Sequence, residues 1–427
     1  MNLISKRRGR RRSYVALFAV ATLVAASGPI VSAYASGAKA RGSVTIGESS
    51  TLSGAIAELG QTGLEGVQLA AANINAHGGL LGKTVKVVSA DDGATPATGA
   101  ANARNFILSD HAAAIFGPVV SSVASAEEAV AAQYHVPIFF HTSNDVALMT
   151  TDYTKYAFQM VPNTVMEPRA AADYLSKQVG SKLITIGTFA PNYSFGTSTV
   201  AGFIQALKDL HVHFKIVNQQ FPPLEATSIA PYLTALIAAH PQYVFNAQFG
   251  GDLVTFSKQA AEFGFFKKTK VIAMYSASPL EALGAQAPAG AIGFDRAPFW
   301  EAGATGLNGA GMAAFTAQFK AKYGNYPSAW AIMAYSAVQA WAYGVQKAHS
   351  FAGNAVSSSL SGATVPTIRG AVTLRACDHQ ANVPEYVGTV SSSINAKYHL
   401  RLWNAHVFVA AANDIMLTCA QSRKLRG

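Results

Sequence analysis

The stretch Ala113-Ala114-Ile115-Phe116-Gly117-Pro118-Val119-Val120-Ser121-Ser122 decides the fold. A short apolar run closed by Gly-Pro reads as a buried strand, and residues 122–133 after it read as a helix. Pro137-Ile138-Phe139-Phe140 then supplies the next strand. Strand, helix, strand, with strands apolar on both faces, is the pattern of a parallel sheet covered by helices on both sides.

The same alternation extends outward. On the N-terminal side Val44-Thr45-Ile46-Gly47 reads as a strand. Leu64, Val67, Ala71 and Ile74 mark one face of a helix that stops at Gly78-Gly79, and residues 84–89 form a strand. The turn Asp91-Asp92-Gly93 leads into a helix over 96–109. Towards the C-terminus the alternation breaks at Val161-Pro162-Asn163 and restarts. Strands are expected at 183–187, 214–217, 243–246 and 270–274, with helices at 200–210, 228–239 and 252–263. Two long helices follow, 311–323 and 329–349, then strand-like segments at 368–374 and 386–390. Two βα series of similar length predict two similar lobes.

Half of the 427 residues are hydrophobic and only 13% are charged, which rules out disorder as the main state. The longest uncharged apolar stretch, Val15 to about Ala35, follows the basic cluster Lys6, Arg7, Arg8, Arg10, Arg11, Arg12 and ends in Ala33-Tyr34-Ala35. Residues 1–35 therefore read as a cleaved export signal and 36–42 as a linker. The alternative is one N-terminal membrane anchor; Gly28 and Pro29 break the apolar run and favour cleavage. No Cys lies near the cleavage site, so a lipoprotein anchor is not expected. Removing the six basic residues lowers the formal charge of +10 to about +4, which undercuts a nucleic-acid reading. Cys377 and Cys419 are the two cysteines. In an exported chain they are expected to form a disulfide, the alternative being two separate buried thiols. Their spacing speaks against a zinc site.

Catalytic and metal motifs fail on inspection. Gly78-Gly79-Leu80-Leu81-Gly82-Lys83-Thr84 ends like a phosphate-binding loop, but His77 occupies the first glycine position and the segment lies between a helix and a strand, the reverse of the required order. His211 and His213 have no accompanying carboxylate or Cys and read as a surface pair. Asp91-Asp92 is ordinary turn chemistry. Polar and aromatic residues just past strand ends are more informative, because open α/β sheets bind ligands there. Ser121 and Ser122, Thr142-Ser143-Asn144, Tyr193, Phe249 and Tyr275 occupy five such ends in the two series. Helix capping or core packing would account for any one of them; their coincidence favours a ligand cleft.

Thr51-Leu52-Ser53-Gly54, Gly60 through Asn75 to Gly82-Lys83, Ala114-Ile115-Phe116-Gly117-Pro118 with Ser121-Ser122, and Val136-Pro137-Ile138 resemble, in order and spacing, the type I periplasmic substrate-binding proteins. The group most resembled is the leucine/isoleucine/valine-binding components of ABC importers. The likeness continues through Phe158-Gln159-Met160-Val161-Pro162, Tyr193-Ser194-Phe195-Gly196 and Tyr323-Gly324-Asn325-Tyr326-Pro327-Ser328-Ala329. It implies an α/β fold of two Rossmann-like lobes with parallel central sheets, joined by three crossing segments. Lobe one would comprise 43–162 with 299–366, and lobe two 163–298 with 367–427.

The resemblance also implies that Ser121 and the 142–144 segment grip a carboxylate, with Tyr193 and Phe249 as aromatics of the second lobe. Tyr275 stands where amino-acid binders usually carry an acid for the α-ammonium, and Asn144 replaces the more usual Thr. An ammonium buried without a carboxylate is strongly disfavoured. An aromatic or amide-bearing ligand is therefore as well suited as an amino acid, and leucine, isoleucine and valine are expected to bind weakly. The implied protein is a monomeric, non-enzymatic, exported binder that needs no cofactor or metal and delivers its ligand to a membrane ABC permease. A ligand-sensing protein of the same fold is the second reading, and an exported α/β enzyme the third.

Overall fold

The computed structural model describes residues 42–301, 309–404 and 406–427. The expected export segment, 1–35, and all but the last residue of the linker lie outside the described residues. The first half runs β1 (Ser43–Ser50), α1 (Ala57–Ala76), β2 (Thr84–Asp91), α2 (Pro96–Leu108), β3 (Ala112–Phe116), α3 (Ser121–Gln133), β4 (Ile138–Phe140) and β5 (Ala157–Gln159). These strands form one parallel sheet in the order β2-β1-β3-β4-β5. The strand order reverses at β1/β3, and a doubly wound sheet opens a crevice at such a point.

The second series repeats that plan. It runs α4 (Met166–Val179), β6 (Ile184–Phe189), α5 (Ser194–Asp209), β7 (Phe214–Gln220), α6 (Ala230–Ala238), β8 (Tyr243–Asn246), α7 (Gly250–Glu262), β9 (Lys270–Ala273), α8 (Ala277–Leu283) and β10 (Ile292–Asp295). The parallel order β7-β6-β8-β9-β10 matches the first sheet strand for strand. The remainder is α9 (Gly309–Tyr323), α10 (Ala329–Ala348), α11 (Gly353–Leu360), β11 (Thr364–Thr367), β12 (Gly370–Thr373), β13 (Glu385–Thr389), β14 (Phe408–Ala410), α12 (Ala412–Ile415) and α13 (Cys419–Arg426). β13 and β14 add antiparallel to the β10 edge.

Aromatic ladders knit each sheet. Phe116, Phe139 and Phe158 are paired across neighbouring parallel strands and stack at 5.2 and 5.1 Å between ring centres. In the second sheet Phe245 of β8 stacks with Phe294 of β10 at 6.1 Å, and Phe203 of α5 lies flat on Phe245 at 4.1 Å. Such contacts add to area burial by roughly 0.5–1.5 kcal/mol a pair.

Several elements differ from expectation. Residues 166–179, for which the sequence pattern named no element, form α4, whose first turn holds Pro168 and the buried Glu167. Pro is tolerated there because the first-turn N–H groups have no intrahelical acceptor. The segment 368–374 is the second arm of a hairpin, β11 with β12, instead of a strand of a main sheet. Cys377 and Cys419 are joined in a disulfide. It ties α13 beside the third passage between the sheets, and Arg426 of α13 lies over the Tyr153 ring at 3.6 Å. His211 and His213 are exposed on either side of buried Val212. Among the described residues no helix is long and apolar enough to cross a membrane, and no group of three or more His, Cys, Asp or Glu is arranged to hold a metal ion.

Candidate functional site

The loops beyond the carboxyl ends of both sheets face one another across a narrow cleft. Val119 and Ser121 come from the end of β3, and Thr142 and Asn144 from the end of β4. Tyr193 and Phe195 follow β6, Phe249 follows β8, Met274 follows β9 and Arg296 follows β10; Leu59 of α1 and Trp330 of α10 complete the wall. Ser121 begins α3, Tyr193 is the residue preceding α5 and Phe249 that preceding α7, none with a side-chain cap on its first turn. Free first-turn N–H groups and the helix dipole favour an anion or carbonyl oxygen there.

The polar wall is organised around two side chains. The Ser121 hydroxyl accepts hydrogen bonds from the Asn144 and Asp145 amides, both at 3.3 Å. Among the described residues Arg296 is the one cation of the lining, which contains no carboxylate. Its Nη1 donates to the Thr142 carbonyl at 2.6 Å, its Nε donates to Glu167, and its guanidinium lies 4.9 Å from the Trp330 ring centre. Glu167 also accepts from the Asn144 amide at 2.7 Å, so the Arg296 guanidinium and the Asn144 amide are both anchored to α4. Burial raises the Glu167 carboxyl, with Arg296 pulling the other way.

More buried charge stands behind that corner. Arg369 donates from Nη1 to the Met160 carbonyl at 3.1 Å and from Nη2 to the Arg296 carbonyl at 2.9 Å. One side chain thus ties together all three passages between the sheets. Burial pushes Asp295 up to about 7 and Glu385 well above the usual carboxylate range, with Arg296 and Arg369 opposing in both cases.

Of the residues expected at the site, Ser121, Thr142, Asn144, Tyr193 and Phe249 line this one cavity. Asn144 faces it with its amide already committed to Glu167 and the Pro162 carbonyl. Tyr193 sits partly exposed at the mouth, its hydroxyl kept neutral by burial and by the nearby Asp145 and Asp252. Two residues fall elsewhere. Ser122 is half-buried in the first turn of α3, outside the lining. Tyr275 is fully buried in the second sheet's core, with its hydroxyl 3.1 Å from Ser257 and its carbonyl accepting from the Trp403 indole at 2.8 Å. Met274 faces the cavity instead, since successive extended residues point to opposite sides.

Arg296 and Trp330 were not anticipated. Arg296 follows a strand end like the others, but β10, the four residues Ile-Gly-Phe-Asp, carries too short an apolar run to mark a strand by itself. Trp330 adjoins the Tyr326-Pro327-Ser328-Ala329 motif and needed only the packing of α10 on α1 to bring it in. A larger, open groove of about 1010 Å³ runs along the opposite, amino ends of the second sheet's strands, past Lys182, Lys268 and Lys270, and has none of these strand-end groups.

Residues 43–395 match the model of the periplasmic binding protein family. The chain is 27% identical to the Leu/Ile/Val-binding protein BraC3 of Rhizobium johnstonii over 411 residues, covering 91% of this chain and 100% of the relative. Among solved structures, a periplasmic binding protein from Burkholderia mallei superposes with a TM-score of 0.80 at 22% identity, covering 89% of this chain and 98% of the other. An ABC-transporter solute-binding protein of Rhodopseudomonas palustris in complex with 3,4-dihydroxybenzoic acid superposes with a TM-score of 0.74 at 21% identity, covering 86% and 98%. With this paired-sheet architecture and strand-end cavity, the chain belongs to the periplasmic binding protein family and has its type I fold.

Proposed function

We propose that this protein is an exported solute-binding protein that captures a small organic acid with an aromatic or amide-bearing body and passes it to an ABC permease. One observation carries the choice of ligand: among the described residues the cavity wall holds one guanidinium and no carboxylate. A zwitterionic amino acid entering it would bury its ammonium unpaired, at a cost its apolar contacts do not recover. A carboxylate meets the Ser121 hydroxyl, the first-turn amides of α3 and the field of Arg296. Its apolar body meets Tyr193, Phe195, Phe249, Met274 and Trp330, which offer large faces at small entropy cost. The dihydroxybenzoate complex of the Rhodopseudomonas palustris protein supports an aromatic acid.

The lobes of this reading are 43–162 with 299–366 and 163–298 with 367–427, and α13 leans back on Tyr153 of the first. The ligand bridges them, so closure and binding are one equilibrium. Calorimetry and thermal shift with benzoate, 4-hydroxybenzoate and leucine test it. A ligand at 100 times its dissociation constant adds about 2.7 kcal/mol of stability, readily seen as a raised midpoint. Aromatic acids should bind and leucine should not; tight leucine binding with no response to the acids overturns the ligand class.

A further inference from the structure

The mouth of the cleft holds a contact that touches no part of the cavity wall. Glu225 lies in the loop between β7 and α6 of the second sheet, while Ala55 and Ile56 lead into α1 of the first. The Glu225 carboxylate accepts hydrogen bonds from the Ala55 amide at 2.5 Å and the Ile56 amide at 3.3 Å. The α1 start has no side-chain cap of its own, so a carboxylate from the other lobe supplies one. Glu225 is itself held: its amide donates to the Asp252 carboxylate in the first turn of α7 at 2.9 Å.

Two glycines make the approach possible. Gly54 has φ +85°, and a Cβ there would stand 2.3 Å from the Glu225 carboxylate oxygen. A Cβ on Gly251, in the first turn of α7, would stand 2.3 Å from the Ala55 carbonyl oxygen. Each glycine removes a side chain from the line where the two lobes meet. We propose that Glu225 is a positioning residue for ligand retention: a latch whose carboxylate caps α1 across the cleft and holds the shut state, in the ligand-free chain as well as the loaded one, without touching the ligand. The proposal takes closure on a ligand from the functional reading above, but its test does not need the ligand's identity.

The test is residue-resolved amide exchange in the ligand-free full chain, comparing wild type with Glu225→Ala, Glu225→Gln and Gly251→Ala. Glu225→Ala should speed exchange at Ala55 and Ile56 by about tenfold or more, since the charge-assisted cap is lost. Glu225→Gln keeps an acceptor oxygen and should restore part of the protection. Gly251→Ala leaves Glu225 intact and suits a helix's first turn, yet it should speed the same two amides by propping the lobes apart, with core amides of both sheets unchanged. Unprotected Ala55 and Ile56 amides in wild type, or equal protection in all four proteins, overturn the latch. Stopped-flow release of benzoate adds a second reading, with dissociation about 5–30-fold faster in Glu225→Ala at an unchanged association rate. Failure of benzoate to bind wild type at all would overturn the ligand class and leave the exchange result to decide the latch.

Discussion

Ser121 and Arg296 divide the polar work of the site, and their substitutions should weigh differently on binding and on stability. Ser121 Oγ faces the cavity and accepts two long backbone hydrogen bonds. Replacing it together with the aromatic at the mouth, in Ser121→Ala/Tyr193→Ala, should weaken ligand binding about 10–100-fold, as expected when a hydrogen bond and an aromatic contact are both lost. The ligand-free protein should lose about 1–3 kcal/mol of stability, because the buried Ser121 hydroxyl no longer accepts from the Asn144 and Asp145 amides, whereas the partly exposed Tyr193 adds little. Unchanged calorimetric affinity would remove both residues from the site. Arg296 behaves differently because its charge is paired inside the protein. Arg296→Leu strands Glu167, and breaking a buried pair from one side costs about 3–5 kcal/mol, to be read from urea unfolding. The double change Arg296→Leu/Glu167→Met should recover most of that loss while abolishing preference for an anionic ligand.

At the scale of elements, the passages between the sheets depend on Arg369 at the end of the β11–β12 turn. Its guanidinium fork satisfies the carbonyls of Met160 and Arg296 at once, one from each of the other two passages. A lysine carries the same charge but a single compact donor head, and cannot reproduce a fork. Arg369→Lys should therefore leave one buried carbonyl unpaired and cost about 1–3 kcal/mol of stability in chemical denaturation. If Arg369→Lys unfolds at the wild-type urea midpoint, the fork is dispensable. The repeated β2-β1-β3-β4-β5 pattern explains why these passages matter: each sheet is complete in itself, so the relation between the two rests on a few crossing residues and on the mouth contacts.

For the whole molecule, buried carboxyl groups set the pH dependence. Glu127 and Glu128 of α3 are buried, and burial pushes both well above the usual carboxylate range. Asp252 is pushed up to about 6, again chiefly by burial. A carboxyl raised on folding binds its proton more tightly in the folded state. Its contribution is fully present below the unfolded pKa and is lost as pH rises through the folded value. Asp91 is shifted down and acts in the opposite sense, but it is largely exposed and screened. The midpoint of thermal unfolding should therefore fall between about pH 5 and about pH 8, and Glu127→Gln, which cannot ionise, should flatten that slope. A wild-type midpoint that rises over the same range would contradict the assignment. The disulfide spans 42 residues and should contribute about 3–4 kcal/mol in the chain-entropy account, so a reductant should lower the midpoint by several degrees.

Local pattern alone determined the two βα series, their parallel strands and the strand-end positions of Ser121, Thr142, Asn144, Tyr193 and Phe249, because side-chain period and turn chemistry act within a few residues. The pairing of Cys377 with Cys419 followed from there being two cysteines in a chain read as exported. Side-chain direction past a strand end was not legible in the same way: Tyr275 turns into the core and Met274 into the cavity, a choice made by the indole of Trp403 and the hydroxyl of Ser257, both distant in sequence. Arg296, Trp330 and Glu225 reach the cleft only because three separate passages and two lobes converge on it. Charge at the site, the absence of a carboxylate from its wall among the described residues and the cap that one lobe lends the other are sums over residues as far apart in sequence as Leu59 and Trp330, which short-range periodicity does not encode and tertiary packing alone decides.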